Sequence, residues 1–397
     1  MIFAFGDCEL DTERYEFRRG GEVLAVEPRV FDLLRFLAEN AGRLVTKDEI
    51  LERVWQGRAV SDSALSSQIK ALRKAIGDDG RTQAIVRTVH GKGFRFEGEV
   101  AARDGTGPAA GTAATPGQRI SFCRAADGTR IAYSLAGDGP PLVKTANWLN
   151  HLEYDWESLI WRHLMAFLSR DRTLVRYDER GNGLSERDLG DTSLDAYVSD
   201  LEAVVAAAGL DRFPLLGISQ GCAIAIAYAS RHPEKVSHLI LHGGYASGWR
   251  VRSTAEEIAA RNATLTLVRI GWGRENDAFR QLFTSQFFPG ATLEQMQAFN
   301  ELQRRTTSPE NAYRLLESFS TIDVRGLLPS LRVPTLVTHC RGDARVAFDQ
   351  GLELAAEIPG AQFMPLESTN HLVLEHEPAW VKFTDAVTRF LSPEGVA

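Results

Sequence analysis

At 397 residues, with 44% hydrophobic and 24% charged side chains, the chain has the length for two or three domains with ordinary cores, which excludes a disordered or fibrous protein. Apolar runs such as Ile224 to Ala229 fall well short of the roughly 20 residues of a membrane span, and no basic-then-apolar leader opens the sequence, so a cytoplasmic protein with no membrane partner is expected. The formal net charge of -7 argues against general coating of nucleic acid, although an average over several domains conceals local basic surface.

Short β-prone stretches open the chain near Ile2 to Phe5, Tyr15 to Arg18 and Val23 to Val26, punctuated by Gly6 and Gly20-Gly21, and predict a small antiparallel sheet. Pro28 then starts a helical stripe of Val30, Leu33, Leu34 and Leu37 that ends at Asn40-Ala41-Gly42. A second helix opens at Thr46, where Glu49 completes a capping box, and ends near Trp55. The third follows Ser61-Asp62, carries Leu65, Ile69, Leu72 and Ile76 on one stripe, and stops at Gly77. At about 100° per residue its opposite face carries Ser63, Ser67, Lys70, Ala71 and Lys74, flanked by Gln68 and Arg73. From Arg53 to Arg95 nine Lys and Arg stand against Asp62, Asp78 and Asp79, a surplus that suits phosphates.

This third helix and the stretch Ile85-Val86-Arg87-Thr88-Val89-His90-Gly91-Lys92-Gly93-Phe94-Arg95-Phe96 resemble the OmpR/PhoB-type winged-helix family, from Phe3 to about Phe96. The resemblance implies double-stranded DNA as a partner, with the helix Ser63 to Ile76 in the major groove and the Gly91/Gly93 hairpin as a wing. It singles out Ser63, Gln68, Lys70, Ala71 and Arg73 on the helix, to which the polar face adds Ser67 and Lys74, with His90 and Lys92 on the wing. A homodimer on repeated half-sites and RNA polymerase are the further partners it suggests. No phosphoacceptor receiver stretch precedes the module in this sequence, so a signal is expected to arrive through the linker or a partner.

Large apolar residues vanish from Ala101 to Gln118, AARDGTGPAAGTAATPGQ, which predicts a flexible linker between a winged-helix domain over 1–100 and a larger domain over 119–397. In that larger part Ile131 to Tyr133, Leu142-Val143, Leu174-Val175, Pro214 to Leu216, Leu239 to Leu241 and Thr335 to Val337 alternate with helical stretches, the pattern of a mostly parallel sheet covered on both faces.

Gly217-Ile218-Ser219-Gln220-Gly221 directly follows one such strand and opens a small-residue helix, the context in which a serine on a sharp turn needs glycine on both sides. Serine is a poor nucleophile until a base accepts its proton, so an acid and a histidine must follow in that order. Asp343, in a loop after Thr335 to Val337, and His371, after the strand-like Gln362 to Leu366, meet the requirement; Asp349 and His376 are weaker alternatives. With Asp127-Gly128-Thr129-Arg130-Ile131-Ala132-Tyr133 and Tyr177-Asp178-Glu179-Arg180-Gly181-Asn182-Gly183-Leu184-Ser185, the segment Ile120 to Leu391 resembles the α/β-hydrolase superfamily. Asp178 and Arg180 read there as a structural ion pair. The strand Leu142 to Lys144 leads into Thr145-Ala146-Asn147-Trp148 where the family has His-Gly, so the expected oxyanion donors are the backbone N–H groups of Gln220 and of Asn147 or Trp148.

Asn147-Trp148-Leu149, His151-Leu152-Glu153 and Asp155-Trp156 are similar to hydrolase-like domains of bacterial signalling proteins, which places His151 and Glu153 as pocket residues or as local caps. Between about 245 and 328 the alternation gives way to helical sequence rich in aromatics, including Trp249, Trp272, Phe283 and Phe287, the expected lid. Cys8, Cys123, Cys222 and Cys340 lie far apart without metal-ligand spacing, and neither metal nor cofactor is expected.

Taken together the sequence reads as an α/β chain: an N-terminal winged helix-turn-helix (α+β), then an α/β-hydrolase fold with a helical lid. The function expected is a DNA-binding transcriptional regulator whose C-terminal domain senses a small-molecule ester, thioester or lactone, its hydrolysis left open. Two other readings remain, a serine esterase with an accessory DNA-binding domain and a non-catalytic ligand-binding regulator.

Overall fold

The structure is a computed structural model that describes residues 2–12, 16–24, 26–55, 62–79, 82–89, 92–98, 100–103, 117–272, 274 and 278–392. It divides into two compact units, 1–112 and 113–397.

In the first unit β1 (Ile2–Phe5), β2 (Cys8–Asp11), β3 (Glu16–Arg19) and β4 (Glu22–Leu24) form an antiparallel meander. Alternation places Phe3, Phe5, Cys8, Leu10 and Phe17 on its buried face. The helices α1 (Pro28–Glu39), α2 (Lys47–Trp55) and α3 (Asp62–Ile76) follow, with β5 (Leu44–Thr46) ahead of α2. Both halves of the expected capping box are present at α2, since the Thr46 N–H donates to Glu49 Oε2 at 2.8 Å and the Glu49 N–H to Thr46 Oγ1 at 3.2 Å. Leu65, Ile69, Leu72 and Ile76 of α3 are buried against Leu33, Leu34 and Leu37 of α1. The hairpin β6 (Val86–Val89) and β7 (Gly93–Phe96) pairs with β5 in a three-stranded sheet. Ala101–Arg103, expected in the linker, forms β8 and runs antiparallel to β1, whose outer edge otherwise has unpaired backbone groups.

The second unit is built on one eight-stranded sheet. Its elements in chain order are β9 (Arg119–Arg124), β10 (Arg130–Ala136), β11 (Pro141–Lys144), α4 (Arg162–Ser169), β12 (Thr173–Tyr177), α5 (Leu194–Ala207), β13 (Phe213–Ile218), α6 (Gly221–Arg231) and β14 (Val236–His242). Helices α7 (Trp249–Arg252), α8 (Ala255–Gly271), α9 (Ala278–Phe287), α10 (Leu293–Thr306) and α11 (Pro309–Phe319) come next, before β15 (Thr335–Cys340), α12 (Phe348–Glu357), β16 (Gln362–Leu366) and α13 (Pro378–Phe390). The strand order is β16-β15-β14-β13-β11-β12-β10-β9, parallel from β16 to β12 and antiparallel at β10 and β9.

The strand β9 escapes the sequence reading because it is an edge strand with no apolar run, and its side chains are at most half-buried. Helix α6, all Ala, Ile, Tyr and Cys from Cys222 to Ala229, is buried all round, as its composition demands. Among the described residues no helix is long and apolar enough to cross a membrane.

Candidate functional site

From β11 the chain passes to β12 on one side and later returns through β13 on the other, so the loops after β11 and β13 meet at the carboxyl ends of the strands. That switch point is where open α/β sheets present a crevice for ligands. Ser219 turns there at φ +55°, between the end of β13 and the first residue of α6. A serine in the left-handed region is held only by its surroundings. A Cβ at Gly217 would lie 2.7 Å from the Cys222 Cα, and one at Gly221 would lie 2.5 Å from the Ala146 carbonyl oxygen, so lack of space keeps both positions glycine.

His371 Nδ1 lies 2.7 Å from Asp343 Oδ2, and both residues are buried. The other carboxylate oxygen accepts the N–H groups of Arg345 at 2.8 Å and Val346 at 3.0 Å. Burial opposes the charge on Asp343, but His371, the Val346 N–H and His339 outweigh it and hold the carboxyl below its ordinary range. His339, which the sequence does not single out, sets its Nε2 3.5 Å from the same oxygen as His371. Asp349 and His376 are exposed. On its far side His371 Nε2 is buried without a hydrogen-bond partner among the described residues, Ser219 Oγ included.

The loop after β11 is tied to the elbow in an unexpected way. The Trp148 N–H, one of the expected oxyanion donors, is occupied by the side chain of Gln220, whose Oε1 accepts it at 2.8 Å. Gln220 in turn donates from Nε2 to Glu179 Oε1 at 3.1 Å. The Asn147 side chain is held by the Lys144 ammonium and donates to the Trp148 carbonyl at 3.0 Å. Of the expected donor set, the backbone N–H groups of Gln220, at the head of α6, and of Asn147 are the ones to which no acceptor is assigned among the described residues.

Ser219 and Gln220 open on a cavity beneath the α7–α11 segment, lined by Trp148, Trp249, Phe287 and Phe319 together with Arg252, Arg261 and Arg345. The Trp148 indole packs on Trp272, Phe283 and Phe319, with centroids 5.6, 6.4 and 6.0 Å away. Two hydrogen bonds fasten the segment to the histidine loop, from the His371 N–H to the Phe287 carbonyl at 2.7 Å and from the Gly290 N–H to Asn370 Oδ1 at 2.9 Å. The three arginines are invisible in the sequence because α7, α8 and the loop after β15 bring them together.

His151 and Glu153 do not line this cavity. The turn closes on itself, with the His151 N–H donating to Asp155 Oδ1 at 3.2 Å and His151 Nδ1 accepting the Glu153 N–H at 3.2 Å, so they are local caps, and Glu153 is exposed. The expected pairing of Asp178 with Arg180 is also corrected. Arg180 binds Asp200 at 2.6 Å and Asp127 at 2.8 Å, while Asp178 accepts the N–H groups of Leu152 and Leu184 and shapes the turn.

On the first unit, Ser67, Lys70 and Lys74 of α3 and Lys92 of the β6–β7 turn are exposed. Arg73 is not available to a base edge. It donates to the Val86 carbonyl at 2.7 Å and to Thr88 Oγ1 at 2.9 Å, bracing α3 against β6. Ala71 packs against the core, and Gln68 donates to Glu27 Oε2 at 3.4 Å. The Ser63 side chain and His90 lie outside the described residues.

Residues 21–96 match the family model described as transcriptional regulatory protein, C terminal, and residues 151–378 match the one described as alpha/beta hydrolase fold. A pyrrolizixenacetamide deacetylase of Xenorhabdus hominickii is 27% identical over 273 residues, 67% of this chain and 96% of its own length. The sensory transduction protein RegX3 of Mycolicibacterium smegmatis is 34% identical over 98 residues, 24% of this chain, and the match spans 43% of its length. Among solved structures, the esterase RhEst1 from Rhodococcus sp. ECU1013 superposes with a TM-score of 0.59 at 25% identity, covering 69% of this chain and 98% of that one.

Proposed function

Because the chain belongs to the α/β-hydrolase fold family and carries a transcriptional-regulator domain of the OmpR/PhoB type ahead of it, we propose that it is a DNA-binding regulator whose hydrolase domain takes a small ester, thioester or lactone as its signal and cleaves it slowly. The observation that carries this reading is the buried Asp343–His371 pair beside an elbow serine, set against a Trp148 N–H already occupied by Gln220. The pair supplies a base for Ser219; the occupied donor limits the stabilisation of a developing oxyanion, worth about two to three orders of magnitude in rate per donor.

In this reading Ser219 Oγ attacks the ligand's carbonyl carbon as its proton passes to His371 Nε2. Asp343 keeps the imidazole oriented through Nδ1. Collapse of the tetrahedral adduct expels the alcohol, thiol or ring oxygen, which takes the proton from His371. Water, deprotonated by the same nitrogen, then releases the acid and restores Ser219. Slow turnover makes such a signal self-terminating.

A fluorophosphonate probe applied to the full chain tests the chemistry: Ser219 is expected to label and Ser219→Ala not to. Gel shifts on duplexes selected from random sequence test the regulation, with ester ligands expected to change affinity and Ser219→Ala to prolong the change. Affinity indifferent to every ester removes the sensing reading. The Gln220 bond to Trp148 also favours a second reading, a receptor without turnover, which predicts ligand-dependent gel shifts on a chain whose Ser219 stays unlabelled.

A further inference from the structure

The cavity over Ser219 carries a charge imbalance that ester cleavage does not require. Arg252 of α7, Arg261 of α8 and Arg345 after β15 line it together with the serine, and no carboxylate forms an ion pair with any of them among the described residues. Arg345 donates to Gln286 Oε1 at 3.0 Å and lies over the Phe283 and Phe287 rings at 5.1 and 5.0 Å. Arg252 donates to the Ser247 carbonyl and lies over Tyr245 at 5.0 Å. Arg261 makes neither a hydrogen bond nor a ring contact of this kind among the described residues, and the groups that act on it through space are Glu257, one turn earlier on α8, and Tyr245.

All three are half-buried, and burial pushes each below its ordinary range, Arg345 to about 10. Repulsion from Arg261 adds to this at Arg252 and Arg345, and Tyr245, with Glu257 and Glu353 at Arg252 and Asp343 at Arg345, offsets it in part. Asp343, two residues from Arg345, is already committed to His371 and two backbone N–H groups. Half-desolvated guanidinium groups with no carboxylate close enough to form an ion pair are costly, and an entering anion relieves that cost with charge-assisted, bidentate hydrogen bonds. Aromatic walls in the same cavity suit the apolar remainder of such a ligand.

We propose that the ligand is an organic anion, an ester, thioester or lactone whose acyl chain bears a carboxylate held by Arg252, Arg261 and Arg345 while its carbonyl lies at Ser219. The position of the carbonyl rests on the hydrolase reading above; the binding of the anion does not. The full-length Ser219→Ala chain is titrated with monomethyl hexanedioate and with dimethyl hexanedioate, read through tryptophan fluorescence, since Trp148 and Trp249 line the cavity. The monoester anion is expected to bind at least about tenfold more tightly than the diester. Arg261→Gln and, separately, Arg345→Gln are each expected to reduce that preference about tenfold, with the thermal midpoint monitoring the fold. Arg269→Gln, on the exposed side of α8 beside Glu310, is expected to keep it. Equal affinity for the two esters, no binding of either, or a preference that survives both cavity variants overturns the proposal. A Ser219 that never labels, in a chain that still prefers the anion, removes the hydrolysis and leaves this inference standing.

Discussion

Gln220 is the residue on which the chemistry turns, since one side chain links the two halves of the expected oxyanion hole. Its Oε1 holds the Trp148 N–H and its Nε2 holds Glu179. Replacement by alanine frees the Trp148 N–H for an oxyanion while removing one buried hydrogen-bonding partner on each side. Gln220→Ala is therefore expected to raise the rate of Ser219 labelling by a fluorophosphonate by about tenfold or more, and to lower stability by about 1–3 kcal/mol. Labelling kinetics and urea unfolding check the two effects, and a labelling rate that falls shows that Gln220 instead supports the competent loop. The elbow is legible in the sequence because Gly217 and Gly221 answer a local lack of space. The Gln220 bond is not, because it joins a side chain to a backbone N–H 72 positions away in another loop.

Helix α3 shows how far a periodic pattern carries a functional reading. Its buried stripe is fully legible, Leu65, Ile69, Leu72 and Ile76 all being buried, because 3.6-residue periodicity and burial are one signal. The opposite face is only partly so. Lys70 and Lys74 stand exposed, whereas Arg73, an equally basic residue in the same turn, reaches back to the Val86 carbonyl and Thr88. Composition cannot separate a cation that meets phosphate from one that braces a hairpin. Variants can. Lys70→Ala and Lys74→Ala are each expected to lower the slope of log affinity against log salt by about 1 at unchanged melting temperature. Arg73→Ala is expected to leave that slope near its wild-type value and to destabilise the winged helix by about 1–3 kcal/mol, through the stranded Val86 carbonyl. A salt slope that falls in Arg73→Ala with an unchanged melt assigns the residue to DNA after all.

At the scale of the whole molecule the division into two units is announced by one composition break, while the ionisable groups inside the larger unit are not announced at all. Lys144, Asp155 and Arg176 sit on or beside core strands and are almost wholly buried, although their residue types belong on surfaces. Glu179 belongs to the same interior, and burial lifts its carboxyl from 4.5 to about 8 despite the hydrogen bond from Gln220. A raised folded value means that the fold binds a proton that the unfolded chain releases. The stability this contributes is fully present below about 4.5 and is lost as the pH rises through about 8. His151 has the opposite sign: burial lowers it from 6.5 to about 4, so its contribution is present above 6.5 and is lost as the pH falls toward 4.

The hydrolase unit should accordingly lose stability on both sides of a slightly acid optimum. Glu179→Gln isolates the alkaline side, because the amide cannot ionise, its oxygen still accepts from Gln220, and an Asn182 amide rotation presents the now unpaired Oδ1 to the new NH₂ group. Relative to the wild type, the variant is expected to gain stability progressively between about pH 4.5 and 8, on the order of a few kcal/mol by the upper end, and to track it below. Urea unfolding followed by tryptophan fluorescence reports this unit, because six of the seven tryptophans belong to it. A wild-type minus variant difference independent of pH would mean that Glu179 stays ionised in the fold, with Arg180 and then Lys144 as the cations that act on it.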